Sequence, residues 1–221
     1  MDKSNKLKTG LIKFLTIVGD LMALNALWFV CSLPIITVGP STNALFSVTL
    51  KLAEESSFPV LKTFFKAFKE NFKQSLVVGA FSILAILLLY ADIGYVFAVE
   101  GPLQKVYIVV SILLYAVLLT TISYLNALIA RYNNSLKGHI INTFKLAFVN
   151  PVQTIIIWLT LSIPVLIVLF VQPIVIIYLG WLFIFFLVSL PVYICSTVLM
   201  NIFKKFDNER GWLWKEKKQE N

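Results

Sequence analysis

Long apolar runs dominate this chain, and short polar segments between them hold most of its charges. A helix needs roughly 20 apolar residues, at about 1.5 Å per residue, to cross the hydrocarbon core of a bilayer. Five runs meet this length and predict membrane-spanning helices: residues 14–36, 75–99, 103–130, 151–172 and 174–200. Pro191 falls inside the last run and should kink its helix.

The distribution of lysine and arginine predicts how these spans are oriented, because short cytoplasmic loops collect positive charge. Basic residues concentrate near the N-terminus, in residues 51–73, after residue 130 and in the C-terminal tail. Five spans would place the basic N-terminus outside the cell, against this rule. A sixth crossing by residues 37–53, which carry no charge before Lys51, returns both termini to the cytoplasm.

The predicted fold class is therefore an all-α, polytopic membrane helix bundle with six spans, the second of them short. Residues 1–206 form one membrane-embedded domain, and residues 207–221 form a polar cytoplasmic tail. The predicted location is a bacterial plasma membrane, with multiple crossings and both termini in the cytoplasm.

Two amphipathic helices are expected in the cytoplasmic loops. In the first, Val60 begins an apolar stripe opposite several lysines, as expected for a helix on the inner membrane surface. These two helices are candidate docking surfaces. Their phenylalanines are Phe64, Phe68 and Phe72 in the first helix and Phe144 and Phe148 in the second.

A short internal repeat supports the sixth crossing. Asn43-Ala44-Leu45 recurs as Asn126-Ala127-Leu128, and further similar residues follow in the same order. Each copy predicts an inward helix, a loop, an amphipathic helix and an outward span, so the copies would be related by an axis along the membrane normal. Chance similarity between two amphipathic helices is the alternative.

Composition and charge agree with a membrane location. Hydrophobic residues make up 59% of the chain and charged residues 14%, whereas soluble domains are about half apolar and about a quarter charged. The net charge of +8 then reflects orientation, and no basic cluster has the pattern of a nucleic-acid site. Membrane lipids with acidic headgroups are the expected counter-charge.

Residues 33–40 interrupt the helical pattern within the apolar region. Pro40 suits the first position of a new helix, from Pro40 to Ala53, which would begin below the outer membrane surface. Polar groups there are tolerable only if they are buried in protein or hydrated. Two interpretations remain open: a substrate site of the kind that broken helices form in transporters, or a tight hairpin that reverses the chain.

Asp20 lies in the first apolar run, where carboxylates are costly and often functional. An ion pair with Lys51 and a role in proton or ion coupling are both open. Together with the helix break, these residues define a candidate polar site. It consists of Asp20, Asn25, Thr37, Gly39, Pro40, Ser41 and Asn43.

The sequence contains no pattern typical of a catalytic site. Nucleotide-binding, serine-hydrolase and zinc-protease motifs are missing. Cys31 and Cys195 lack metal-site spacing, and His139 is the single histidine, so no metal or cofactor is expected and the chain is not expected to be an enzyme. Gly19-x-x-x-Ala23 permits self-association through close helix packing.

The segment from Asn25 to Trp28, followed by Leu33 to Pro40, resembles the YesL-like family of bacterial membrane proteins. Members commonly have alanine after the Gly-Pro pair, where this chain has Ser41. The resemblance implies a domain of unknown function from Gram-positive bacteria, often encoded beside carbohydrate ABC importers and glycan-degrading enzymes. The expected function is a noncatalytic accessory protein bound to ABC transporter subunits; a small transporter or channel with a site from Thr37 to Asn43 is the alternative.

Overall fold

A computed structural model describes residues 3–54, 58–98, 101–170, 186–210 and 215–216, and this part of the chain is helical almost throughout. The helices are α1 (Lys3–Ser32), α2 (Val38–Glu54), α3 (Val60–Glu70), α4 (Phe72–Ala98), α5 (Pro102–Thr120), α6 (Asn126–Arg131), α7 (Leu136–Val149), α8 (Pro151–Phe170) and α9 (Ser189–Arg210). A 3₁₀ turn (Ile35–Thr37) precedes α2, and a π-helical turn (Thr121–Leu125) joins α5 to α6. Strands β1 (Tyr132–Asn133) and β2 (Lys215–Glu216) pair antiparallel.

Three helical stretches in the described residues are long and apolar enough to cross a membrane. They are Thr9–Ser32, Phe72–Asp92 and Leu103–Arg131, the last of which runs through α5, the π turn and α6. A fourth candidate is the bent pair Leu136–Val149 and Pro151–Ile167, whose axes meet at 106°. The prediction of an all-α membrane protein is confirmed, with three to four candidate spans. Much of the run predicted at 174–200 lies outside the described residues.

Helix α2 lies at the centre of the molecule. It contacts α1, α3, α4, α6 and α9, and Leu45, Phe46 and Val48 on it are completely buried. Its 17 residues rise about 25 Å, less than the roughly 30 Å hydrocarbon core. The short second helix predicted from the sequence is present, although it begins at Val38 and not at Pro40.

The break before α2 follows from two prolines and a threonine. Pro34 has an extended backbone, with φ −74° and ψ 110°, and the 3₁₀ turn begins directly after it. The Thr37 hydroxyl lies 2.6 Å from the carbonyl oxygens of both Cys31 and Pro34, so it can donate to either acceptor where the helical hydrogen bonds of α1 end. Pro40 falls in the first turn of α2, where a missing N–H costs no helical hydrogen bond.

Helices α3 and α7 are each joined to the long helix that follows by a single asparagine. Asn71 lies between α3 and α4, and Asn150 lies between α7 and α8. The backbone N–H of Asn71 donates to Ala67, and that of Asn150 donates to Leu146, both at 3.1 Å. The two segments that the sequence pairs as repeats therefore share the same kind of helix junction.

The C-terminal helix extends beyond residue 206, where the sequence analysis ends the membrane domain. Helix α9 continues to Arg210, and Asp207 on it contacts Arg131 at the end of α6. Strand β2 then pairs with β1, which directly follows α6. Residues 211–214 and 217–221 of the predicted tail lie outside the described part of the chain.

Candidate functional site

Three buried asparagines form a hydrogen-bonded network in the interior. Asn43 donates from Nδ2 to the Asn126 carbonyl oxygen at 2.9 Å, and its Oδ1 accepts from Nδ2 of Asn71 at 2.8 Å. All three residues are at most 6% exposed. This asparagine network ties α2 to α6 and to the α3–α4 junction, so Asn43, a predicted site residue, holds helices together.

Gly39 and Gly79 form a very close helix crossing beside this network. A Cβ placed on Gly39 would overlap the Ser75 carbonyl oxygen and lie 2.7 Å from Cα of Gly79. A Cβ on Gly79 would lie 2.6 Å from Cα of Gly39. Small residues allow such close backbone approach between membrane helices. Gly79 is not among the residues predicted from the sequence; its signal there is an isolated glycine in a long apolar run.

Asn25, on α1, acts at the start of α9. Its Oδ1 accepts the backbone N–H groups of Val188 at 3.1 Å and Ser189 at 3.0 Å. The first N–H groups of a helix have no partner within the helix, so Asn25 caps α9 from α1. Trp28, one turn further along α1, donates to the Thr42 hydroxyl at 3.1 Å and so fixes α1 to α2.

Asp20 and Lys51 occupy separate surroundings. Asp20 is half-buried on α1. Lys51 places its Nζ atom 5.0 Å from the Phe58 ring centroid, which is a cation–π contact. The predicted Asp20–Lys51 pair is not among the ion pairs that the described residues form.

The candidate docking phenylalanines point in different directions. Phe64 is completely buried, and its ring stacks on Phe68 with centroids 6.4 Å apart. Phe68 and Phe72 are half-buried. The stripe on α3 therefore packs against the protein, which corrects the expectation that it lies on the membrane surface. On α7, Phe144 is half-buried, whereas Phe148 is 82% exposed.

A charged cluster that the sequence analysis did not find closes one end of the bundle. Arg131 contacts Glu54 at 3.1 Å and Asp207 at 3.4 Å, joining α6 to α2 and α9. The Tyr132 hydroxyl donates to the Asp207 carboxylate at 3.0 Å. Burial raises the pKa of Tyr132 well above its ordinary value, so this hydroxyl keeps its proton at physiological pH.

The polar groups brought together at the helix break are amides and hydroxyls. Across the ranges that the structure describes, no three His, Cys, Asp or Glu side chains are placed to hold a metal ion. The amide of Asn43 and the hydroxyl of Thr37 already bond to protein groups. A solute could bind these two side chains only by replacing bonds that now connect the helices.

Comparison with known proteins shows what this chain is similar to. Residues 21–93 match a family model described as a protein of unknown function, DUF624. Uncharacterized protein YesL from Bacillus subtilis (strain 168) is 29% identical over 152 residues, which cover 66% of this chain and 71% of that protein. The chain is thus similar to the YesL protein and to this family of unknown function. No solved structure matches this chain.

The part matched by the family model contains much of the candidate site. Residues 21–93 include Asn25, the helix break, the Gly39–Gly79 crossing and Asn71. Asn126, which completes the asparagine network, lies beyond this region, as do Arg131 and α7. The matched residues thus supply α2 and elements that pack on its first turns.

Proposed function

We propose that this YesL-like chain is a noncatalytic accessory membrane protein that docks on the membrane subunits of a carbohydrate ABC importer. The importer context comes from the genomic setting that the family resemblance implies. Support for docking, as opposed to transport, comes from the helix break: the Asn43 amide and the Thr37 hydroxyl bond to protein, and Gly39 is in contact with Gly79. Such an arrangement favours a tight hairpin that reverses the chain over an open substrate site.

The proposed threading has six spans, with α2 as the short second one. Both termini, α3 and α7 then lie in the cytoplasm of a bacterial plasma membrane. The support for this arrangement is the concentration of lysine in the segments around α3, after α6 and along the tail. A further support is the 106° bend between α7 and α8, because a helix perpendicular to a span lies along the membrane plane.

One observation carries the docking proposal: the exposed apolar corner where α7 meets α8. Phe148 is 82% exposed and Val149 is 64% exposed, and Asn150 follows them at the bend. Large aromatic side chains that stay exposed on an isolated subunit are typical anchors of protein–protein interfaces. A membrane partner with an apolar cleft near the bilayer surface would cover this corner.

Copurification tests the docking proposal. The tagged protein is extracted from native membranes in mild detergent, and the associated proteins are identified by mass spectrometry. We expect importer membrane subunits to be enriched, and Phe148→Ala to reduce that enrichment by about tenfold, as for loss of an interface anchor. Phe81→Ala is the matched control, because Phe81 is also an exposed phenylalanine, 60% exposed, in the candidate span of α4. Recovery without any importer subunit contradicts the proposal.

A second candidate function, a small transporter or channel, is favoured by a separate observation. The oxygens Ser41 Oγ, Ser75 Oγ and Asn126 Oδ1 are buried and make no hydrogen bond within the described residues. Buried polar atoms without partners are uncommon in proteins and can mark the place of a bound polar molecule. All three belong to the helix break or to helices packed beside it.

Reconstitution into liposomes tests this second function. A transporter should move a sugar or an ion across the bilayer, and Asp20→Asn should abolish coupling to a proton or ion gradient, because the amide cannot carry the charge. Absence of flux for every candidate sugar and ion removes the transport hypothesis. That result leaves the accessory function untouched, since copurification does not depend on flux.

A further inference from the structure

The outer face of α3 combines lysines with two exposed apolar side chains. Val60, Phe64 and Ala67 are buried on its inner side. The opposite side of α3 therefore faces away from the protein. Leu61 is 58% exposed and Phe65 is 43% exposed, and these two lie one helical turn apart. Beside them on the exposed arc lie the side chains of Lys62, Lys66, Lys69 and, at the start of α4, Lys73.

We propose that this basic face of α3 binds the headgroups of anionic phospholipids. The basic face is defined as Leu61, Lys62, Phe65, Lys66, Lys69 and Lys73. This orientation is the reverse of the one predicted from the sequence, in which the stripe that starts at Val60 contacts the membrane. The inference is independent of the proposed function, because an accessory protein and a transporter would both use such a contact.

The position of α3 supports a lipid partner. Only Asn71 separates α3 from α4, and the candidate span in α4 begins at Phe72. The basic face is thus held at the end of a membrane-spanning helix, where headgroups lie. Apolar side chains next to lysines are typical of helices that bind at this interface, with the apolar residues at the acyl boundary and the ammonium groups at the phosphates.

Charge complementarity favours an anionic headgroup. The acidic residue of α3 is Glu70, against three lysines in the same helix. Each basic residue near an anionic bilayer surface strengthens binding by roughly fivefold. Helix α7 offers a comparison in the same molecule: its exposed positions include Lys137 and Lys145, but these are spread among Ile140, Ile141 and Phe148.

Lipid-dependent thermal stability tests the proposal. The purified full-length protein is held in neutral detergent micelles, and phosphatidylglycerol is added at increasing mole fraction while the unfolding temperature is measured. We expect a saturable rise that phosphatidylcholine does not produce. The triple variant Lys62→Gln, Lys66→Gln, Lys69→Gln should need about tenfold more phosphatidylglycerol, or more, to reach half of the rise.

Two matched variants make the result specific. Lys137→Gln with Lys145→Gln on α7 should leave the response to phosphatidylglycerol unchanged, and replacing the three α3 lysines by arginine should preserve it. The proposal is overturned if phosphatidylcholine stabilises the protein equally. It is also overturned if inorganic phosphate alone reproduces the effect, or if the lipid response of the glutamine variant equals that of the original chain. Loss of a copurified importer subunit in that variant, with an unchanged lipid response, would assign the face to an acidic protein partner.

Discussion

At the scale of single residues, the contact between Gly39 and Gly79 sets how closely α2 and α4 approach. Replacement of Gly39 by alanine would put a Cβ within 2.7 Å of the Gly79 backbone. We expect Gly39→Ala to lower the free energy of unfolding by about 1–3 kcal/mol, although alanine is intrinsically the better helix former by about 1 kcal/mol. Chemical unfolding in detergent measures the change.

Gly10→Ala is the control for that experiment. Gly10 also lies in a helix, and a Cβ there would meet no atom within 4 Å. This variant should be neutral or slightly stabilising, since alanine has the higher helix propensity. Equal effects of the two substitutions would mean that the glycine crossing does not limit the packing of α2 on α4.

The bond between Asn43 and Asn71 permits a second residue-scale prediction. Asn43→Ala removes two buried hydrogen bonds and should cost about 1–3 kcal/mol, because partners are left unsatisfied in the interior. A double-mutant cycle with Asn71→Ala should give a coupling energy of about 0.5 kcal/mol or more. Asn201→Ala, at an exposed position of α9, is the neutral control. Additive effects of the two substitutions would contradict the network.

Sequence reasoning identified some of these residues and missed others for a physical reason. Asn43 was predicted as a site residue, since an amide in an apolar run has to find a partner. Gly79 was missed because its role depends on which helix crosses it, and a pattern along one helix does not contain that information. Arg131 was missed for the same reason, as its partners Glu54 and Asp207 are far away in sequence.

At the scale of elements, α9 depends on a cap that comes from another helix. Asn25→Ala removes the acceptor for the N–H groups of Val188 and Ser189, and loss of such a cap costs about 1 kcal/mol. We expect hydrogen exchange at these two amides to accelerate while the amides in the middle of α2 keep their protection. Unchanged exchange at Val188 and Ser189 would show that the cap is not needed.

Periodicity predicted the existence of α3 and its amphipathic character, but not the side that faces inward. An apolar stripe beside lysines fits a helix on a membrane and a helix packed on a protein equally well, since both environments are apolar. The structure decides between them, because Phe64 is completely buried. On α7, Phe148 remains exposed, and the docking surface expected there stays a prediction.

At the scale of the whole molecule, the two repeat segments have similar helix junctions but differ in their contacts with neighbouring helices. Asn71 donates to the side chain of Asn43, whereas its counterpart Asn150 donates to the Leu146 carbonyl of α7, the helix that precedes it. The first copy begins after a 3₁₀ turn, and the second contains a π turn next to Asn126. The copies thus share their order of elements, while the close glycine contact belongs to the first.

The threading of the whole chain gives the last prediction. Single cysteines are introduced at Lys69, Lys105 and Lys204, all exposed positions, in a background where Cys31 and Cys195 are alanine. With six spans, a membrane-impermeant maleimide should label position 105 in intact cells, and positions 69 and 204 only after the membrane is disrupted, because cytoplasmic segments collect the positive charge. The cysteine-free background controls for nonspecific labelling. Labelling of position 204 in intact cells would place the end of α9 outside the cell and contradict the six-span threading. It would also contradict a cytoplasmic position for Arg131 and its partners Glu54 and Asp207, which join helices at that end of the bundle.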